Sequence, residues 1–358
     1  MRFTPHLALA AVLCLGGGAS KAATQLGDNF SLSGFGTLGA VTTNTDEAQY
    51  RTDIFQNRGA DEKPDLGVDS RLGLQLDAKL SDSYRAVAQV LVRRRLPADA
   101  AVEWLYGEAK LPADLTLKVG RVVMPTFMLS DSRSVGYSAY WLRPPQEVYG
   151  LNGSTLDGAQ LMHRAEVGPV KLTTQLSFGR SKTDFDLAGF RGTFDARNVV
   201  SLNMVGESGD WLVRIGYSQT DLHGFGPTVL DRFPGVGVQY DDGTLVAMAE
   251  YVARRQSRGA ADCDGWYVSA GWRVRSWTPY ASFSEFTPKG PAFGDMRSNT
   301  TSALGVRWDL ASSAALKAQY QVSKGGALPF INASPDFLAR HPLSDAGRVI
   351  RERRPSRS

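Results

Sequence analysis

The chain has 358 residues, 42% of them apolar, and carries a formal net charge of +4 from 40 basic and 36 acidic side chains. Those basic residues are spread along the chain instead of gathered into one patch, which excludes a nucleic-acid footprint. Past the N-terminus there is no run of about 20 apolar residues, so no helix is expected to cross a membrane.

Arg2 and His6 lead into an apolar run from Leu7 to Leu15, followed by three glycines and Ala19-Ser20-Lys21-Ala22. Small residues at Ser20 and Ala22 suit cleavage after Ala22. Residues 1–22 are therefore predicted to be a cleaved secretory signal peptide, its apolar stretch being too short to span a bilayer as a helix. Leu13 before Cys14 argues against a lipid-anchoring cleavage. Removal of this segment leaves Cys263 as the single cysteine, which excludes an intrachain disulfide.

One pattern then runs from about Asn29 to Ser323, with no linker and no change of character. From Arg71 onward, Leu72, Leu74, Leu76, Ala78 and Leu80 alternate with Arg71, Gly73, Gln75, Asp77 and Lys79. A period of two is a strand with one apolar face. After Ser81-Asp82-Ser83 the alternation resumes, Tyr84, Ala86, Ala88, Val90 and Val92 against Arg85, Val87, Gln89, Leu91 and Arg93. It recurs over Val170–Gly179, Trp211–Gln219, Leu245–Arg255, Trp266–Val274, Ser302–Leu310 and Ala314–Ser323. Short Gly/Asp/Ser turns alternate with longer stretches such as Thr43–Leu66, Gly120–Ser154, Lys182–Asp195 and Pro288–Arg297. Segments of about 9–12 residues, joined alternately by short turns and long loops, fit a transmembrane β-barrel better than a soluble sandwich.

The polar phase indicates what such a barrel encloses. Roughly 335 residues at about 20 per strand and connection give about 16 strands, enough to leave an aqueous lumen. Arg71, Arg85, Arg93, Lys118, Arg164 and Arg214 share the polar phase. In lipid each would cost about 2–4 kcal/mol at the midplane, so they are expected to face water inside. The tryptophans at 104, 211, 266, 272, 277 and 308 suit aromatic girdles at the two interfaces.

The longest connection carries the most specific text. Lys118-Val119-Gly120-Arg121 ends a strand, and some 30 residues follow that show no strand or helix period. They include Phe127, Tyr137, Tyr140, Trp141 and Tyr149, and the run Trp141-Leu142-Arg143-Pro144-Pro145-Gln146-Glu147-Val148-Tyr149-Gly150. With these motifs, and with Phe30-Ser31-Leu32-Ser33-Gly34-Phe35-Gly36 opening the barrel, nearly the whole chain after residue 22 resembles the Gram-negative porin superfamily. The resemblance implies an outer-membrane channel for passive diffusion of small polar solutes and ions. It implies a homotrimer in outer-membrane lipid and lipopolysaccharide, placed there by the barrel-insertion machinery. It also implies a third external loop, about Met124–Tyr149, folded inward to narrow the lumen at mid-height. On that loop Asp131, Arg133, Arg143 and Glu147 are the charged candidates, facing Arg71, Arg85, Arg93 and Arg164, with Lys118 and Arg121 at the strand end before it. Acid on the loop facing base on the wall makes a transverse field that sets ion preference.

One departure stands at the C-terminal end. The resemblance calls for a last alternating strand ending in an aromatic residue, whereas residues 325–358 gather Arg340, Arg348, Arg351, Arg353, Arg354 and Arg357 among prolines and serines. A slip of the coding frame near Phe337 would explain this. The expected organisation is a signal peptide (1–22), a barrel (23–324) and an atypical tail (325–358) in place of the closing strand. The fold class is all-β, a transmembrane antiparallel barrel of about 16 strands with an inward constriction loop and its last strand missing or altered. Enzyme chemistry is not expected. His163 falls in the lipid-facing or interfacial phase, His223 in a loop beside Gly224 and His341 in the atypical tail, no cluster has metal-ligand spacing, and no cofactor is called for. Two other functions remain open at this point: an anion-selective, phosphate-type channel, and a non-conducting structural or adhesive barrel.

Overall fold

The computed structural model describes residues 6–16, 23–45, 48–96, 99–150, 153, 155–187, 190–224, 227–291, 298–325 and 331–333. The strands of the first half are β1 (His6–Gly16), β2 (Thr24–Gln25), β3 (Phe30–Thr43), β4 (Ala48–Tyr50), β5 (Arg71–Lys79), β6 (Tyr84–Arg93), β7 (Ala100–Leu111) and β8 (Leu115–Val123). A single helical turn, α1 (Gln146–Tyr149), precedes β9 (Thr155–Val167), β10 (Val170–Leu187), β11 (Phe190–Ser208), β12 (Trp211–His223) and β13 (Val229–Asp241). The chain continues through β14 (Leu245–Gln256), β15 (Cys263–Trp272), β16 (Trp277–Pro288), β17 (Asn299–Ala311), β18 (Ala314–Gly325) and β19 (Ile331–Ala333).

Seventeen strands form one antiparallel sheet. Apart from the two-residue β2, each pairs with the next in sequence from β5 to β18, and β5 pairs with β3. The ring is completed by β1, which pairs with β18 on one side and β3 on the other. Besides β1, the two-residue β2 lies at this edge, pairing with β3. The segment expected to be a leader thus stands in the position of a closing strand. Of the C-terminal tail, Ile331–Ala333 pairs with Ala48–Tyr50, and residues 334–358 lie outside those described.

The sheet is apolar outside and polar inside. Leu72, Leu74, Val90, Val92, Val213, Ile215 and Leu304 are exposed on the outer face, while Gln89, Gln160, Gln175, Asn203, Ser269, Gln319 and Gln321 are buried on the inner one. That inversion fits a barrel whose solvent is lipid without and water within. Aromatic residues gather at the short-turn rim. Trp211 pairs with Tyr240 at 4.8 Å between rings, and Trp277 stacks on Trp308 at 4.9 Å. One stretch expected as a loop is not one. Lys182–Asp195 prolongs the β10–β11 hairpin, with Lys182 opposite Asp195 and Thr183 opposite Phe194. Alternation persists there, and Phe185 is buried on the Phe194 ring, centroids 4.3 Å apart.

Candidate functional site

Between β8 and β9 the chain turns back into the barrel, and the loop Met124–Gly150 packs against the inner wall of β12–β18. Phe127, Tyr140, Trp141, Val148 and Tyr149 of the loop bury themselves on Val246, Met248, Val252, Tyr267 and Tyr280 of that wall. The wall is shaped for this approach. A Cβ on Gly265 would lie 2.2 Å from the Glu147 carbonyl oxygen, so only glycine lets α1 come so close there.

Polar latches hold the loop along its length. At its root, Arg214 donates to the Pro125 carbonyl (2.8 Å), while Glu250 accepts from the Met128 amide (2.8 Å) and the Tyr149 hydroxyl (2.7 Å). Arg214 and Glu250 themselves lie 3.6 Å apart, both buried. Deeper in, the Lys317 ammonium donates to the carbonyls of Gly136 (2.6 Å), Ala139 (2.5 Å) and Trp141 (2.7 Å). Arg307 donates to the carbonyls of Tyr137 and Ala139 and lies over the Tyr137 ring at 4.4 Å. The Leu142 amide donates to the Tyr280 hydroxyl at 2.9 Å. Glu147 accepts from Thr301 (2.5 Å), Ser284 (2.9 Å) and Asn299 (3.3 Å). Burial pushes the Glu147 carboxyl above the usual carboxylate range, an effect those three donors offset in part.

Expected constriction at mid-height is deepened by this arrangement. The Tyr137 hydroxyl donates to the carbonyl of Ser312 at 2.9 Å, in the short turn between β17 and β18. The loop therefore spans the lumen from its long-loop end to the short-turn rim.

Opposite the loop the wall stays open and basic. Arg85 holds Glu108 through two bonds of 2.8 and 2.9 Å. Around them a cavity of about 310 Å³ is lined by Arg85, Glu108, Lys110, Thr116, Lys118, Met162 and Arg164. A neighbouring cavity of about 400 Å³ shares Arg85, Glu108 and Lys110 and adds Asp28, Asp77 and Asp82 at the short turns. Burial pushes the Asp131 carboxyl on the loop above its usual range, and the Lys118 charge offsets this in part.

The ten residues singled out in the sequence divide into four groups. Arg71, Arg85, Arg93, Lys118 and Arg164 lie on the inner phase. Arg71 donates to the Arg133 carbonyl at 3.3 Å, and Arg93 is 3.8 Å from Asp53. Asp131 and Arg133 sit on the loop near them. Arg143 and Glu147 do not line open lumen, contrary to expectation. Both are buried, Arg143 paired with Asp69 at 3.0 Å and lying over the Tyr50 ring, Glu147 in the latch above. An ionised group that must anchor a loop into a wall is desolvated by doing so. Arg121 departs further. It lies on the outer face, opposite Asp157 in register and bonded to it at 2.6 and 2.8 Å. The two-residue period gives the reason, since Thr116 and Val122 are buried inside while Val119, in phase with Arg121, is exposed outside.

Sequence reasoning missed Lys317, Arg307, Glu250 and Tyr280 as anchors. Lys317 carried a signal, being a lysine in the polar phase of a strand otherwise lined by Gln and Ser. Its partners are backbone carbonyls, which no residue code discloses. His163 is exposed, and His223 bonds Thr228 at 2.9 Å. His341 lies outside the described residues. Among the described residues, no three His, Cys, Asp or Glu side chains gather as a metal site would require.

The model of the Gram-negative porin family matches residues 8–327. Curated protein sequences return no match. Among solved structures, in-vitro folded OmpT of Vibrio cholerae, in its trimer form, is 16% identical with a TM-score of 0.53, over 83% of this chain and 90% of that one. The anion-selective porin from Comamonas acidovorans is 12% identical with a TM-score of 0.50, over 91% of this chain and 99% of that one. At these identities the likeness concerns the fold.

Proposed function

The chain belongs to the Gram-negative porin family, and from that premise we propose that it is a general diffusion channel of the outer membrane whose narrowest passage runs between the docked loop and the basic wall. The observation that carries this reading is the docking of Met124–Gly150, which packs its aromatic side chains on the β12–β18 side of the lumen, is tied across to Asp69 and Tyr50 through Arg143 and Gln146, and leaves cavities along Arg85, Lys118 and Arg164. Small polar solutes and ions pass there, and the Asp131–Lys118 field orders them. Export runs through residues 1–22, with cleavage after Ala22. The assembled form is a homotrimer set in lipid and lipopolysaccharide by the barrel-insertion machinery, as the trimer form of the Vibrio cholerae neighbour supports. Transport is passive and needs no enzyme chemistry or cofactor.

One observation favours a second reading, an anion-selective channel. Arg85, Lys110, Lys118 and Arg164 surround a cavity with Glu108 as its single acid. Planar-bilayer recording under a salt gradient tests both. Stepwise openings in triplets with a weak reversal potential fit the general channel, and a strong anion potential fits the second reading. Silence from correctly inserted protein would overturn both.

A further inference from the structure

At the long-loop end of the lumen, beside the root of the docked loop, the inner faces of β10, β12, β13 and β14 bound a chamber unlike the basic one. It is a cavity of about 50 Å³ whose uncharged polar lining is hydroxyl, from Ser181 and Thr183 of β10 and Ser218 and Thr220 of β12. Met124, Phe194 and Phe233 supply apolar wall. Gly153 keeps the chamber open, since a Cβ there would lie 3.1 Å from the Thr183 hydroxyl oxygen and 3.7 Å from that of Ser181.

The charges of this chamber cancel. Asp231 and Arg254 also line it, and Arg254 donates to the carboxylate from Nε at 3.1 and 3.0 Å and from Nη2 at 2.5 Å. The same guanidinium lies over the Phe233 ring, 5.4 Å from its centroid. By contrast, Arg85, Lys110, Lys118 and Arg164 surround a single acid in the cavity towards the short turns. A charged solute gains no counter-charge beside Asp231 and Arg254 unless it breaks their pairing. A neutral solute with hydroxyl groups exchanges hydrogen bonds there and leaves the pair intact.

Burial supplies an independent argument. Ser218 is 3% exposed, and its hydroxyl has no hydrogen-bond partner among the described residues. The hydroxyl of Ser201, directly opposite in register, and Oδ1 of Asn203 on the same strand are buried and unpartnered as well. Burying such groups unbonded is costly, so a strip of three marks a surface suited to something that gives and takes hydrogen bonds. Volume limits its size. A water needs about 10–15 Å³ of such space, so the cavity takes about four water-sized groups.

We propose that this chamber is a binding site for a small neutral polyol of three or four carbons, held there before it passes the docked loop. Thr183 and Ser218 exchange hydrogen bonds with its hydroxyls, and Phe194 and Phe233 take its C–H face. The proposal rests on the channel reading for the route by which the solute arrives, and the test separates the two.

Erythritol is the probe, with its carboxylate analogue erythronate as the charged comparator. Saturation-transfer NMR on the full chain refolded in detergent micelles should show transfer to erythritol. Thr183→Val with Ser218→Ala removes two hydroxyls at little change of volume and should lower the transfer about tenfold. Thr183→Ser keeps its hydroxyl and should keep the signal, whereas Gly153→Val fills the space and should abolish it. Circular dichroism checks the barrel content of each variant. Three results would each overturn the proposal: no transfer to erythritol, transfer indifferent to the loss of both hydroxyls, or erythronate held equally and lost with the same variants. Planar-bilayer recording of the same preparation judges the channel separately. Silence there with erythritol still bound overturns the channel reading and upholds the site.

Discussion

Gly265 and Glu147 meet where α1 touches the wall, and each gives a prediction at the scale of a single residue. Gly265→Ala sets a methyl 2.2 Å from the Glu147 carbonyl oxygen, a backbone atom that a rotamer change cannot move aside. The helical turn must leave the wall, so larger and noisier unit conductance is expected in bilayer recordings with barrel content unchanged by circular dichroism. Glu147 is buried and its carboxyl titrates above the ordinary range. A carboxyl raised in the docked state contributes stability that is complete below its ordinary pKa and is lost as pH rises through the raised value. Loop docking should therefore be firmer in acid, with conductance rising between acid and neutral pH. Glu147→Gln removes the titration and should flatten that profile; a slope unchanged in the variant would assign it to another group.

At the scale of elements, the loop and its wall act as one unit because the latches are spread over five strands, β12, β14, β16, β17 and β18. Lys317 alone satisfies three loop carbonyls. Lys317→Met keeps the volume of the side chain and removes the donors. It should weaken docking by about 1.5–3 kcal/mol, the range for hydrogen bonds to a charged group. Proteolysis within residues 134–142 of the folded protein, absent or slow in the parent, is the measurement. Equal cleavage rates would show that the apolar cluster around Trp141 and Tyr267 suffices without the lysine.

Across the whole molecule the relevant quantity is the field between the two sides of the lumen. Arg85 and Arg164 lie on the open wall, away from the loop latches, so Arg85→Glu with Arg164→Glu should shift the reversal potential toward cations without altering the loop. A potential that stays in place would mean that ions cross elsewhere. Assembly belongs to this scale too, since the outer band of Leu, Val and Ile side chains and the tryptophan rim are shared by the entire sheet and not by any one strand.

Much of this was legible in the chain itself. The period of two fixed strand after strand, because a side chain's face follows from its parity along an extended backbone. The inward Arg71, Arg85, Arg93, Lys118 and Arg164 followed from that parity, and the same parity applied to Thr116–Val122 would have set Arg121 outside with Asp157. Length times strand density gave about sixteen strands, and the break in periodicity after Val123 marked the loop. Tertiary structure alone decided the rest. Arg143 and Glu147 became buried anchors because their partners, Asp69, Ser284, Asn299 and Thr301, lie on distant segments brought close only by the ring. Lys317 found its role through backbone carbonyls, which are the same in every residue.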